Sequence, residues 1–90
     1  MTKSDLVDSV ASKTGLTKKD TSRTIDAILE TIKEQLRAGE KVQLVGFGSF
    51  EVKRREARVG RNPKTMEEIR IPARNVPVFR AGKELKESVL

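Results

Sequence analysis

The sequence predicts an α+β fold with two N-terminal helices, a three-stranded antiparallel sheet that continues into a long β-ribbon arm, and a short C-terminal helix. Three features of the 90 residues indicate it. Apolar residues recur at helical spacing as far as Gly39, and they alternate with polar residues from Lys41 onward. After Val52 the chain becomes cationic and loses its apolar face. The length suits one domain, so a catalytic domain beside a separate binding domain is excluded.

Two helices are indicated by repeated start and stop signals. The boxes TKSD and TKKD place Thr2 and Thr17 where a hydroxyl can cap the first turn. Gly15 and Gly39 follow the two helices and suit the left-handed conformation that ends a helix. We interpret the apolar stripes between these signals as core. Their members are Leu6, Val7, Val10 and Ala11 in the first helix and Ile25, Ile28, Leu29, Ile32 and Leu36 in the second.

The second half of the chain alternates with a period of two. Val42 and Leu44 predict one strand, the turn GFGS follows at residues 46–49, and Phe50 and Val52 begin the next strand. Beyond this point both faces of the strand are polar, and a strand with two polar faces cannot lie on a core. It is therefore expected to project from the sheet.

We predict that residues 51–75 form this projecting arm, which turns at GRNP, residues 60–63, and returns through an alternating strand. Residues 1–50 and 76–90 would form the body of the same single domain, 1–90. A helix over 83–90 is expected to place Leu85 and Val89 inward.

The charge is unevenly distributed along the chain. Nineteen Lys and Arg against thirteen Asp and Glu give a net charge of +6 and a pI near 10.0. Residues 46–90 contribute +5 of this, with eleven basic and six acidic side chains. Such a balance favours a polyanionic partner.

The residue types that are missing exclude several classes of function. The absence of Cys and His excludes disulfides, thiolate and imidazole metal sites, Cys nucleophiles and the usual general base. We therefore expect no metal and no cofactor. No apolar run approaches the length of a membrane span, and the N-terminal segment carries Asp5 and Asp8 where a secretory signal is apolar. We expect a cytoplasmic protein without a membrane partner.

The size of the body favours a dimer. Without the arm, only 65 residues remain, which is close to the size at which a single core is marginal. The three aromatic residues of the chain all fall on or next to the sheet. We predict an obligate homodimer, or a heterodimer with a close relative, and a compact monomer is the alternative. The expected dimer core comprises Phe47, Phe50, Phe79, Ile32, Leu36 and Leu44.

The arm has the reach and charge to bind duplex DNA. A strand over residues 50–60 spans roughly 30 Å, which exceeds the width of either DNA groove. Its Lys and Arg side chains would neutralise phosphates, and Arg suits a narrow minor groove. Lys53 and Arg55 share one strand parity, whereas Arg58 has the other. Either both faces of the arm are basic, or a β-bulge near residues 55–57 re-aims the strand; we favour the bulge.

Pro63 lies at the apex of the arm and has two interpretations. It is either an ordinary turn proline after Asn62, or a rigid apolar wedge that separates base pairs and kinks the duplex. The residues alone leave the two interpretations open.

Three motifs resemble the bacterial HU/IHF family of histone-like proteins: GFGSF at 46–50, GRNPKT at 60–65 and PVFRAGKELK at 77–86. The resemblance covers the chain without insertion. It implies an intertwined dimer whose two β-ribbon arms hold DNA. Architectural proteins of the minor groove, HU and IHF themselves among them, bend DNA by inserting apolar wedges. Carried over, Pro63 is the wedge, and the other DNA-binding residues are Lys53, Arg55, Arg58, Arg61, Asn62 and Lys64 on the arm and Arg74, Arg80, Lys83 and Lys86 on the saddle or flank.

The chain is more similar to the HU type, since it lacks the extra terminal segments common in the IHF type. The resemblance therefore implies a nucleoid-associated protein that binds double-stranded DNA with little sequence preference, favours bent or nicked duplexes, and bends or compacts them. An IHF-type site-selective subunit is the alternative. Met66 departs from the family, which often has Gly at that position, and a positive φ would strain it. It is either a tolerated variant or an added apolar contact.

Two other classes of function fit the sequence less well. An enzyme would need Glu67 and Glu68 to converge on one substrate, but adjacent strand residues point to opposite faces. A membrane-surface module would need a basic amphipathic helix with aromatic residues, which the sequence lacks. Structured RNA recognised by its shape stays open as an alternative partner.

Overall fold

The computed structural model describes all 90 residues in two units, Met1–Glu34 and Gln35–Leu90. Helix α1 spans Lys3–Thr14 and helix α2 spans Lys18–Arg37. Strands β1 and β2 span Val42–Leu44 and Gly48–Arg55, β3 and β4 span Arg58–Arg61 and Glu68–Ile71, β5 spans Arg74–Ala81, and helix α3 spans Lys83–Ser88.

The ends of the first two helices follow local signals. The Thr2 hydroxyl accepts a hydrogen bond from the Asp5 amide, and the Asp5 carboxylate accepts one from the Thr2 amide at 2.9 Å. The bond from the Thr2 amide, and a second bond that the Thr2 hydroxyl donates to the same carboxylate, hold the pKa of Asp5 below its usual value, because they stabilise the charged form. Gly15 ends α1 with φ 75°, and the Thr17 hydroxyl accepts from the Asp20 amide at 3.1 Å. Both predicted caps are confirmed.

The helical hairpin buries only a short stretch of its apolar stripes. Val7 and Ala11 of α1 and Ile25 of α2 are buried, as is Thr21, whose hydroxyl donates to the Thr17 carbonyl. Other members of the same stripes stay about half exposed, among them Leu6, Ile28 and Leu29. The prediction that the stripes form core is therefore confirmed for only some of their residues in a single chain. No helix is both long and apolar enough to cross a membrane.

The strands form a three-stranded antiparallel sheet in the order β1-β2-β5 and a separate two-stranded ribbon of β3 and β4. Phe50 pairs with Phe79 at the centre of the sheet, and Arg55 pairs with Arg74 where the sheet ends. The predicted order of two helices, three-stranded sheet, ribbon and final helix is confirmed. We call β3, β4 and the loop between them the distal ribbon.

The prediction of a β-bulge near residues 55–57 is wrong. Arg55 pairs with Arg74, and the ladder resumes with Arg58 opposite Ile71, so two residues are skipped on each strand and the register is unchanged. A bulge needs an extra residue on one strand only. The interruption instead falls at Pro72, which has no amide to donate to a ladder.

Helix α3 is shorter than predicted. It ends at Ser88, so Val89 lies beyond it and is 77% exposed, whereas Leu85 is half-buried. The prediction that Val89 faces inward is wrong for the single chain, because the helix stops before that position completes another turn.

Candidate nucleic-acid interface

The sheet has an aromatic face and a face that carries most of its basic side chains. The faces are assigned from the pairing, because directly paired residues share a face and successive residues of a strand point to opposite faces. Phe50 and Phe79 form a pair on one face. Three residues beyond Phe50, Lys53 pairs with Val76 on the opposite face, where Arg55 also pairs with Arg74. We call the second side the basic face. Its basic members are Lys53, Arg55, Arg74 and Arg80.

The apolar face carries the aromatic cluster. The ring centroids of Phe50 and Phe79 lie 4.9 Å apart, and those of Phe47 and Phe79 lie 5.6 Å apart. The approach depends on Gly48, where a Cβ would lie 2.6 Å from the Phe79 ring. Phe47 and Phe79 nevertheless remain 48% and 42% exposed, and Leu44 is 43% exposed. A single chain thus leaves a clustered aromatic surface in contact with solvent.

The other members of the expected dimer core are also incompletely buried. Ile32, Leu36 and Phe50 are half-buried, and none of the six reaches full burial. Val45, in the turn before Phe47, is 94% exposed. The sequence-predicted core residues are therefore accessible in one chain, which is what a core shared between two chains requires.

The cations of the basic face have no acidic partner. Lys53, Arg55, Arg74 and Arg80 are all exposed, and none has a carboxylate oxygen within 4.0 Å. Glu51, whose parity also places it on this face, is paired with Lys41 at 3.3 Å. The charge of the face is therefore free to act on a ligand.

The neighbouring residue, Arg54, behaves differently. It has the parity of the apolar face, and its Nε lies 3.2 Å from the Glu56 carboxylate. Its charge is thus partly neutralised by a residue that directly follows β2. Two adjacent cations of β2, Lys53 and Arg54, differ in both face and pairing.

The interruption between sheet and distal ribbon gathers three arginines. Arg55, Arg58 and Arg74 line a cavity of about 350 Å³ together with Glu56, Ile71, Pro72 and Val76. Arg58 has the opposite strand parity from Arg55, yet it borders the same cavity. The interruption, without a bulge, therefore places the parity-mismatched arginine beside the other two.

The tip of the ribbon is closed by hydrogen bonds of Asn62. Its side-chain oxygen accepts from the Lys64 amide at 2.9 Å, its amide donates to the Glu67 carbonyl, and its carbonyl accepts from the Met66 amide at 2.7 Å. Pro63 takes no part in these bonds and is exposed at the apex. The tip conformation is thus set by residues on either side of the proline.

Met66 is the only non-glycine residue with a positive φ, at 60°. This left-handed backbone conformation is the one expected to strain a residue other than glycine. The Met66 amide closes the loop by donating a hydrogen bond to the Asn62 carbonyl. Its side chain is 62% exposed. The loop therefore closes with methionine in a backbone conformation that favours glycine.

Comparison with known proteins identifies the family. The family model described as "Bacterial DNA-binding protein" matches residues 1–90. The chain belongs to this family. It is 54% identical over 89 residues to the DNA-binding protein HU of Geobacillus stearothermophilus, with 99% of each chain covered. The DNA-binding protein HU of Clostridium pasteurianum is 56% identical over 89 residues, which cover 99% of this chain and 98% of the relative.

Solved structures agree with the family assignment. An Anabaena HU–DNA cocrystal structure is similar with a TM-score of 0.93 and 55% identity, over 99% of this chain and 97% of the other. HU from Thermotoga maritima is similar with a TM-score of 0.73 and 46% identity over the full length of both chains. The HU-like fold that the sequence motifs implied is therefore confirmed.

The other predicted site residues lie on the distal ribbon and on α3, and their roles in DNA binding stay predictions. Arg61 and Lys64 are exposed on the distal ribbon. Lys83 and Lys86 are exposed on α3, where Lys83 lies 3.9 Å from Glu87. Asn62 is half-buried, and its side-chain oxygen is already used within the loop.

Sequence reasoning missed Arg70. It pairs with Val59 on the ribbon, is exposed, and has no acidic partner within 4.0 Å. With Arg58 it borders a second cavity, of about 430 Å³. The signal was present in the alternation Ile69-Arg70-Ile71, which places the arginine on the face opposite the two isoleucines.

Proposed function

We propose that this protein is an architectural DNA-binding protein of the HU type. Two copies bind duplex DNA through the minor groove with little sequence preference, and they bend or compact it. One observation carries the proposal: exposed cations without acidic partners lie on one face of the sheet, at the interruption, and on the distal ribbon at Arg61 and Lys64. The similarity to HU proteins along the whole chain supports the same function.

The proposed contacts are mainly to phosphates. Lys53, Arg55 and Arg74 lie on one face of the sheet, and Arg58 borders the same cavity as Arg55 and Arg74; a series of exposed cations along a strand pair suits a linear polyanion. A dimer would make on the order of six to ten such contacts, which corresponds to a slope of log K against log salt of roughly −5 to −9. Phosphate contacts position the protein and carry no sequence information, so a low sequence preference follows.

The apolar face supports the dimer. Phe47 and Phe79 are about half exposed in one chain, and Val45 is almost fully exposed. Burying them against a second copy removes apolar surface from water at about 25 cal/mol per Å². We propose that residues 1–50 and 76–90 form the dimerisation body and that 51–75 form the arm. The partner is a second copy of this chain or a close relative.

Pro63 is proposed as the wedge at the tip of each arm. It is exposed, it is flanked by Arg61 and Lys64, and the loop that carries it is closed without it. A rigid apolar ring held on a cationic finger has the properties of a minor-groove wedge, as in the HU and IHF proteins for which that mechanism is described. Two arms would place two wedges on one duplex.

We propose further that the protein is not an enzyme and that it is associated with the nucleoid in the cytoplasm. Its family is a DNA-binding one. The acidic pair that sequence reasoning considered is divided between loop and strand, since Glu67 precedes β4 and Glu68 pairs with Arg61.

The experiment that tests the function compares linear, nicked and pre-bent duplexes of the same sequence in a gel shift. Because bending a duplex costs free energy, we expect the distorted duplexes to bind at least about tenfold more tightly than the linear one. Equal affinities would contradict the architectural role. Duplex RNA as competitor tests the alternative partner: displacement equal to that by duplex DNA would favour a structured-RNA module instead. A strong preference for one DNA sequence would favour an IHF-type subunit.

A further inference from the structure

The tip loop of the distal ribbon, residues 62–66, contains a strained residue that no internal contact explains. Met66 has φ 60°, a conformation that side chains other than glycine adopt only at a cost. Glycine would close the same loop without strain, because the closing bond uses only the backbone amide of this residue. Closure of the loop therefore does not explain why methionine stands at this position.

The side chain of Met66 gains nothing by burial within its own chain. It is 62% exposed, and it carries neither charge nor a strong hydrogen-bonding group. Between Arg61 and Glu67 the only apolar side chains are Pro63 and Met66, and both are exposed. Hydrogen bonds through Asn62 hold the two in one closed loop.

We propose that Met66 is a second apolar DNA contact of the arm, which packs against the deoxyribose of the minor groove beside the base step that Pro63 enters. The inference rests on the proposed function and adds a residue to it. Methionine is among the apolar side chains that serve minor-groove wedges, and its unbranched thioether adapts to irregular surfaces. The left-handed backbone holds this side chain outward while the loop stays closed.

Three substitutions separate the apolar side chain from the backbone conformation. Met66→Gly relieves the strain and removes the side chain. Met66→Asn keeps a side chain that tolerates the left-handed region but is polar, and Met66→Leu keeps an apolar one. On a nicked duplex at fixed salt, we expect Met66→Gly and Met66→Asn to bind on the order of fivefold more weakly, from the apolar area lost, and Met66→Leu to bind within about twofold of the unchanged protein.

Three controls accompany these variants. Leu16→Ala removes a half-exposed apolar side chain from the connection between α1 and α2, outside the arm, and it should change the affinity by less than about twofold. The slope of log K against log salt should be the same in all variants, because none changes a charge. Thermal unfolding should show Met66→Gly at least as stable as the unchanged protein, which excludes misfolding as the cause of weaker binding.

A direct readout uses the methyl groups of the two methionines, Met1 and Met66, labelled with ¹³C for NMR. Met1 is 91% exposed and serves as the internal reference. On saturation with nicked duplex, we expect the Met66 methyl signal to shift and to show contacts to deoxyribose protons, while the Met1 signal stays in place.

The outcomes distinguish this inference from the proposed function. If the unchanged protein prefers the nicked duplex but Met66→Gly and Met66→Asn bind as tightly and the Met66 methyl signal does not move, the second contact is wrong and the architectural function stands. If the unchanged protein shows neither salt-dependent binding nor preference for the nicked duplex, both are wrong.

Discussion

Strands β2 and β5 of the sheet and strands β3 and β4 of the distal ribbon keep one antiparallel register across the interruption, yet the two regions are stabilised differently. The sheet has an apolar face with a Phe47–Phe50–Phe79 cluster. The ribbon has no buried residue, and its order comes from four paired positions and a closed loop. The difference teaches that a strand pair can extend beyond its core if its function is to lie on another molecule.

The first test of this comparison removes an aromatic side chain from the sheet. Phe79→Ala takes away the ring that contacts both Phe47 and Phe50, and truncations of this kind cost about 3–5 kcal/mol of unfolding free energy when the site is buried. We expect urea unfolding at a much lower midpoint, and a midpoint that depends on protein concentration because the dimer contributes to stability.

Val59→Ala is the matched change in the distal ribbon. Val59 is 61% exposed, so its truncation should change the unfolding free energy by less than about 0.5 kcal/mol. Similar losses at Phe79 and Val59 would break the distinction between the two regions.

The second test concerns the cations where the sheet meets the ribbon. Replacing Arg55, Arg58 and Arg74 together by Gln removes three charges per chain from the wall of one cavity. Six lost phosphate contacts per dimer would make the slope of log K against log salt less negative by about 5. The measurement is a titration of fluorescent duplex at several salt concentrations. An unchanged slope would show that these arginines do not contact phosphates.

The third test uses two adjacent residues of β2. Lys53 lies on the basic face without an acidic partner, whereas Arg54 has the other parity and pairs with Glu56 at 3.2 Å. Lys53→Gln should make the salt slope less negative by about 2 for the dimer, and Arg54→Gln should change it by less than about 1. Equal effects of the two substitutions would mean that both faces of the sheet contact phosphates to the same extent.

The fourth test separates the bending of DNA from its binding. Pro63→Ala leaves the hydrogen bonds of Asn62 in place, since the proline takes no part in them. We expect a smaller bend, seen as lower energy transfer between dyes at the two duplex ends, and an affinity within about threefold of the unchanged protein, because the phosphate contacts remain. If Pro63→Ala bends the duplex as much as the unchanged protein does, Pro63 is an ordinary turn residue and not a wedge.

Much of the architecture was predictable because its signals are local. Thr2 and Gly15 fix the ends of a helix through atoms a few residues away, and the alternation around Phe50 fixes which side chains share a face. The family motifs extended the prediction to the ribbon and its tip. These features need no knowledge of distant parts of the chain.

Other features depend on pairing that a single stretch of sequence does not specify. The interruption arises because Pro72 meets the partner strand at a particular register, and only that register shows that no bulge is needed to place Arg58 beside Arg55. The conformation of Met66 was open for a similar reason, since the closure of the loop on Asn62 decides it against the local preference. Arg70 was missed although its parity was readable from the sequence.

The most direct test of the central claim is to remove the distal ribbon and measure DNA binding. Arg55 and Arg74 are directly paired, so residues 56–73 can be replaced by Asn-Gly, a two-residue turn suited to such a pair. We predict that this variant keeps the dimer and its thermal unfolding midpoint but binds nicked duplex at least about a hundredfold more weakly and does not bend it. A folded variant that binds and bends the duplex as the unchanged protein does would contradict the account.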